Sequence, residues 1–267
     1  KSAEALVRIQ NNTDMPLVAD IHFDHRLALE CLKGNVAAIR INPGNIGNRK
    51  KVEEVVCACR EKGAAIRIGV NSGSLPKDLA EKVENGQISR ADALAETAAR
   101  EAAVFEELNF DQYVVSMKAS SVQETIEANE SFAKKYDIPL HIGVTEAGPL
   151  ITGIVKSTMA FTRLLNEGIG STIRVSLSSS PENEVITGRE ILHETGKRKG
   201  GVTIVSCPRC GREGFDVHGF VQRWQNELLS MKKEITVAVM GCVVNGPGTS
   251  VAKSACKVME LLLETIE

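Results

Sequence analysis

Aromatic side chains are scarce in this sequence: 4% of 267 residues, with one tryptophan and two tyrosines. A surface that stacks nucleobases needs such rings, so the composition argues against nucleic-acid binding. An excess of one charge is lacking too. The formal net charge is −2, which gives no general pull toward DNA or an anionic membrane. No apolar run reaches the roughly 18 residues a membrane span needs, and no signal peptide is expected. The C-x-x-x-C-x-x-C triplet of S-adenosylmethionine radical enzymes is absent. The seven cysteines are an odd number. With no export signal they suit a reducing cytoplasm. Cys31, Cys57 and Cys59 read as ordinary buried or half-buried thiols in helices.

What is present is 43% hydrophobic residues, enough for one large domain or one large plus one small. Short apolar strands alternate with helical stretches. Strands are expected at 17–21, 37–41, 65–70, 112–117, 140–144 and 172–177. Helices are expected at 1–11, 25–33, 49–62, 76–84, 89–108, 122–136, 151–167 and 182–195. Such alternation implies parallel strands joined by right-handed crossovers. Gly196 to Gly201 is polar and bounded by glycine, so it reads as a linker. The expected domains are 1–198 and 199–267.

In parallel α/β folds ligands bind at the carboxyl ends of strands. Read at period two, Asp20 shares a face with His22, Arg40 with Asn42, and Arg67 with Asn71. Lys118 and Arg174 join Arg40 and Arg67 at the mouth. Four cations in a near-neutral chain repel one another unless an anion is bound, and arginine forks suit phosphate oxygens. The expected ligand is a small, multiply charged phosphate ester. The competing reading is a structural network of these arginines with Asp20 and Glu146. Asn42, Asn45, Asn71 and Ser176 are candidate donors to phosphate or hydroxyls, though each alone suits a loop cap. His22 reads as a phosphate donor, His141 as buried scaffold. Glu146 directly follows a strand and stands among the cations, as a candidate proton donor.

The second half holds Cys207-Pro208-Arg209-Cys210-Gly211-Arg212 and, after an apolar run, Gly241-Cys242-Val243-Val244-Asn245-Gly246-Pro247-Gly248. Three thiolates with one open position suit a catalytic iron–sulfur cluster. A structural zinc knuckle is the alternative, but zinc wants four protein ligands, and His218, the fourth candidate nearby, falls in an apparent helix.

These two motifs resemble the cluster domain of the bacterial 4-hydroxy-3-methylbut-2-enyl diphosphate synthases, of the two-domain type. The resemblance extends to the segments V-A-D-I-H-F-D at Val18, R-I-N-P-G-N-I-G at Arg40, R-I-G-V-N at Arg67, H-I-G-V-T-E-A-G at His141 and I-R-V-S-L at Ile173. It implies a (β/α)8 TIM barrel followed by a small α/β iron–sulfur domain. Only six βα units are visible here, so the N-terminal part of the barrel is expected to be missing. It further implies reductive ring opening and dehydroxylation of 2-C-methyl-D-erythritol 2,4-cyclodiphosphate to 4-hydroxy-3-methylbut-2-enyl diphosphate, with electrons from flavodoxin or ferredoxin. Carried onto this chain, Cys207, Cys210 and Cys242 ligate a [4Fe-4S] cluster. Asp20, His22, Arg40, Asn42, Asn45, Arg67, Asn71, Lys118, Arg174 and Ser176 hold the substrate, and Thr145 and Glu146 face its carbon skeleton. A homodimer is implied, with the linker as a hinge. The alternatives are a non-catalytic phosphate-ester-binding barrel with a zinc knuckle, or another barrel enzyme such as an aldolase or pterin synthase.

Two departures stand out. The family's second motif continues N-G-P-G-E, and that glutamate is the fourth ligand; here Thr249 follows Gly248. Ser250 to Glu267 then reads directly as a helix, in which Cys256 is an unlikely substitute ligand.

Overall fold

The computed structural model describes residues 1–208, 210–212 and 214–242. The motif residues from Val243 onward, with Thr249, Cys256 and the helix expected there, lie outside the described residues. The chain divides into two compact units, Lys1–Ile191 and Leu192–Glu267.

The first unit follows the expected alternation. Its strands are β1 (Val18–Asp20), β2 (Ala38–Ile41), β3 (Ala65–Asn71), β4 (Tyr113–Lys118), β5 (His141–Gly143) and β6 (Thr172–Arg174). Its helices are α1 (Ser2–Gln10), α2 (His25–Cys31), α3 (Pro43–Ile46), α4 (Arg49–Lys62), α5 (Lys77–Glu84), α6 (Arg90–Glu107), α7 (Val122–Ala133), α8 (Leu150–Asn166) and α9 (Pro181–Glu194). The strands are parallel and lie in chain order, β1-β2-β3-β4 and β5-β6, with a parallel bridge from Val115 to Leu140 between the two groups. Chain-order parallel pairing is what repeated βα units produce.

Local chemistry sets the helix starts. Asn48, Ser89 and Ser121 accept hydrogen bonds from the amides of Lys51, Asp92 and Glu124, satisfying a donor that the first turn leaves free. Gly63 ends α4 at φ 66°, a left-handed conformation that costs glycine nothing.

One strand face is apolar. Ile39, Ile41, Ile66, Ile68, Val115, Met117 and Ile142 are fully buried. α6 packs on β3 and β4, and its buried alanines 91, 95, 98 and 102, with Phe105, allow close approach. The core is therefore a layer between strands and helices. The opposite face is polar.

Four local expectations need correction. The strand expected at 172–177 stops at Arg174, because the Leu177 amide bonds the Glu184 carboxylate at 2.8 Å and the Ser178 amide bonds the Gly148 carbonyl at 3.0 Å. The helix expected at 122–136 ends at Ala133. Short α3 was not anticipated, although Asn42 as cap and Pro43 at the first position announce it. Cys57 is exposed rather than half-buried, while Cys31 and Cys59 are buried as expected.

The second unit contains β7 (Val202–Ser206), α10 (Val217–Ser230) and β8 (Ile235–Val239), with the two strands parallel. Val202, Val217, Phe220, Trp224, Leu228 and Val239 form its core. The Arg223 guanidinium lies 5.0 Å from the Trp224 ring centroid, a cation–π contact. Among the described residues no helix is long and apolar enough to cross a membrane.

Candidate functional site

The pairing register aligns the polar face. Asp20 pairs with Arg40, Arg40 with Arg67, Gly69 with Ser116, Asn71 with Lys118, His141 with Thr172, and Gly143 with Arg174. Successive residues on a strand point to opposite sides. The register therefore puts these residues on one face, while their neighbours Ile66, Ile68, Val115 and Ile142 go under the helices.

Arg40 Nη1 donates to Asp20 Oδ1 at 2.9 Å and lies 3.5 Å from His22 Nδ1. Its side chain crosses Gly69, where an added Cβ would sit 2.2 Å from Arg40 Nε. Only glycine leaves that path open. At Gly143 the constraint is the neighbouring backbone, since an added Cβ would lie 3.0 Å from the Arg174 carbonyl oxygen, while Lys118 Cδ at 3.6 Å would be in ordinary contact. Arg67 Nη1 lies 3.2 Å from His141 Nε2, and His141 Nδ1 lies 2.8 Å from Thr172 Oγ1. Arg174 Nη2 donates to the Val144 carbonyl at 3.3 Å.

The face is electrostatically costly. Burial is the main force pushing Lys118 down to about 6, and Arg174, Arg67 and Arg40 add to it. Burial also pushes His141 down to about 2, reinforced first by Lys118. Arg67 and Arg174 are lowered for the same first reason. These mutual effects place all four cations within each other's fields, so the structure brings together what the strand ends announced. The competing network of ion pairs is sparse. Arg40 pairs with Asp20, whereas Arg67, Lys118, Arg174 and Glu146 form no ion pair with any described residue. Arg67 Nε and Arg174 Nε are buried without a hydrogen-bond partner among the described residues. Buried unpaired donors on cations are what an anionic ligand satisfies.

The other expected residues surround this centre in different roles. His22 is exposed at the end of β1. Asn42 is buried and caps α3, its Oδ1 accepting from the Gly44 amide at 3.1 Å. Asn45 lies on α3, exposed. Asn71 ends β3, its amide oxygen 3.3 Å from Arg40 Nη2 in the orientation its neighbours favour. Ser176 is half-buried beyond β6, and Thr145 is half-buried beyond β5, its amide donating to the Ala119 carbonyl. Glu146 is exposed with φ 50°. A left-handed conformation is unfavourable for a residue with a side chain, and such strain concentrates at functional sites.

In the second unit the Cys207 amide donates to the Val239 carbonyl at 3.2 Å, and the Gly214 amide bonds the Gly241 carbonyl. The loop after β7, with Cys207 and Cys210, thus meets the segment after β8 that carries Cys242. Cys207 is half-buried, Cys210 exposed and Cys242 buried. Among the described residues no three histidine, cysteine or acidic side chains stand close enough to hold a metal ion.

Sequence reasoning left His141 as scaffold and passed over Ser116 and Thr172. Ser116 and Thr172 alternate in phase with Lys118 and Arg174 on their own strands, so period two was the signal that exposes them, while His141 joins the face through its pairing with Thr172.

The fold and this face define a class: an α/β protein with an anion-receptive strand face, joined to a small thiol-bearing βαβ unit. Residues 1–189 match the GcpE TIM-barrel domain and residues 203–256 the GcpE protein C-terminal domain. The chain belongs to the GcpE family. It is 62% identical over 264 residues to a protein of Treponema denticola, with 92% of this chain and 68% of that protein covered. It is 62% identical over 255 residues to one of Treponema pallidum, covering 93% and 63%. A protein of Thermodesulfovibrio yellowstonii is 50% identical over 247 residues, covering 92% and 70%. All three are named 4-hydroxy-3-methylbut-2-en-1-yl diphosphate synthase (flavodoxin). The chain spans about two thirds of the length of these relatives, as the 68% and 63% coverages show.

Lys118 yields a test of the electrostatics. A folded-state value near 6, far below that of a free lysine, means the unfolded chain binds more protons between about 6 and 10. Lys118 therefore costs stability at neutral pH, and the cost fades as pH rises through that window. Lys118→Met should raise the melting temperature at pH 7 and raise it less at pH 9.5. A pH-independent or negative shift in differential scanning fluorimetry counts against this account of the cluster.

Proposed function

We propose that this chain acts as a 4-hydroxy-3-methylbut-2-enyl diphosphate synthase of the flavodoxin type, an iron–sulfur oxidoreductase. The substrate is 2-C-methyl-D-erythritol 2,4-cyclodiphosphate. Two electrons are taken up and one water is lost as the ring opens. The observation that carries the reading is the strand face itself: Arg40, Arg67, Lys118 and Arg174 share one anion-receptive surface whose one paired carboxylate among the described residues is Asp20. Kinship supports it, since the relatives bear this name.

In this reading the four cations hold the two phosphates. Bound anion restores the proton that burial takes from Lys118 and meets the free Nε donors of Arg67 and Arg174. His22, Asn42, Asn45, Asn71 and Ser176 contribute neutral contacts around the ring, and Asp20 keeps Arg40 oriented. Thr145 and Glu146 face the carbon skeleton. Glu146 lies beyond the carboxyl end of β5 in a constrained backbone and without an ion pair to any described residue, so its carboxyl is available to give a proton to the departing hydroxyl. Reduced flavodoxin is the electron donor, with ferredoxin as a substitute.

Cys207, Cys210 and Cys242 are the proposed ligands of a [4Fe-4S] cluster, in a cluster domain that begins near residue 199. The donor chemistry supports it, since three thiols lie on neighbouring loops at the carboxyl ends of two paired strands, although the three do not stand together in this structure. When bound, the cluster supplies electrons one at a time. Thr249 stands where the family has its glutamate ligand, so the fourth position is left without that carboxylate. The protein is proposed to form a homodimer.

Anaerobic assay of cyclodiphosphate turnover with reduced flavodoxin tests the whole reading; absence of turnover by protein replete in iron and sulfide refutes it. Changing Cys207, Cys210 or Cys242 to serine should abolish iron binding. Full iron retention in one variant removes that cysteine from the ligand set, and zinc in its place favours a structural knuckle.

Glu146→Gln should retain iron and bind the cyclic diphosphate while turnover falls by about two orders of magnitude. Near-normal turnover assigns Glu146 to structure.

The dimer is tested by light scattering, where twice the chain mass is expected. Mixed dimers of Cys207→Ser and Glu146→Gln chains should recover activity. Mixed dimers that form and stay inactive place catalysis within one chain.

A further inference from the structure

The hydrogen bonds of His141 fix where its proton lies. A guanidinium nitrogen can only donate, so the 3.2 Å contact with Arg67 Nη1 requires a lone pair on His141 Nε2. A neutral ring then carries its proton on Nδ1, which donates to Thr172 Oγ1 at 2.8 Å. His141 is buried, and the nearest charged groups, Lys118, Arg67, Arg174 and Arg40, all disfavour a second proton. Thr172 opens β6 in register with His141. From there its hydroxyl oxygen accepts the Nδ1 proton and steadies the ring in the orientation that offers Nε2 to Arg67.

The partner's chemistry matters as much as the contact. Arg40 is held by a carboxylate, which cancels charge. Arg67 is held by a neutral imidazole, which orients Nη1 and leaves the full charge on the guanidinium, with Nε buried and unpartnered. An acidic residue at position 141 would hold Arg67 more firmly and take away the charge an anion needs.

We infer that Thr172 and His141 are positioning residues. Thr172 accepts the Nδ1 proton and steadies the ring of His141, and His141 in turn holds Arg67 as an oriented, uncancelled cation for the anionic ligand. The inference rests on the reading of this face as the diphosphate site, but its first test does not.

That test is nitrogen NMR of the histidine ring in the full chain. Wild type should show a protonated Nδ1 and an unprotonated Nε2 for His141, and Thr172→Val, which leaves the Nδ1 proton without its acceptor, should lose that single well-ordered tautomer. An Nε2–H ring in wild type, or an unchanged tautomer in Thr172→Val, overturns the inference whatever the protein's activity. The second test is affinity. The cyclic diphosphate should bind Thr172→Val about tenfold more weakly, as loss of one charged-group hydrogen bond implies, while Thr172→Ser binds as wild type does. His141→Glu should melt higher than wild type and yet bind at least tenfold more weakly. A merely structural role predicts the opposite coupling, with affinity following stability. Equal affinity for Thr172→Val and wild type, or unimpaired binding by His141→Glu, overturns the inference. If wild type fails to bind the cyclic diphosphate, the proposed function falls. The same comparisons made with inorganic pyrophosphate then decide the positioning role.

Discussion

Mutual repulsion among Arg40, Arg67, Lys118 and Arg174 is the constraint around which the first unit is built. Like charges in a poorly hydrated place cost free energy that the scaffold must supply. The supply is visible on the other side of the same strands. Ile39, Ile66, Ile68, Val115, Met117 and Ile142 are excluded from water under the helices, and each fully buried aliphatic chain contributes on the order of 2 kcal/mol. The strands thus pair a stabilising face with a destabilising one, and the alternation of residues keeps the two apart.

The polar face is not simply filled with charge. Gly69 clears a lane in which Arg40 lies. Neutral acceptors, the His141 ring and the Val144 carbonyl, hold Arg67 and Arg174 where carboxylates would cancel them. Asp20 is the exception, and it lies at the sheet edge on β1. Orientation by neutral groups makes an arginine rigid without making it less cationic, which is what preorganisation toward an anion requires. The smaller unit solves a different problem. Its strands are short, its buried core is six side chains, Trp224 among them, and Cys207, Cys210 and Cys242 lie in loops at the strand ends. The bond from the Cys207 amide to the Val239 carbonyl extends the strand pairing by one step into the thiol-bearing loop.

Strand and helix identity were legible because period-two and period-3.6 patterns are local properties. α4 was expected at 49–62 and spans Arg49–Lys62. The ends of β6 and α7 were less legible, since an amide at Leu177 taken by Glu184 is a tertiary choice that no local pattern contains. Four cations at strand ends could be listed from their spacing alone. Their meeting at one mouth followed from the parallel order, but the partner each would take did not, because spacing along one strand says nothing about register with the next.

The amino-acid sequence by itself determined the βα order, the four cations, the three thiols in glycine-bounded loops and the kinship with a family of diphosphate synthases. These follow from residue type and spacing. Only the tertiary structure decided that Glu146 stands in a left-handed turn with no ion pair among the described residues, and that His141 accepts from Arg67 and faces Thr172. Those are choices among partners, and a partner is selected by strand register and by competition for each donor and acceptor. Neither exists until the strands have paired.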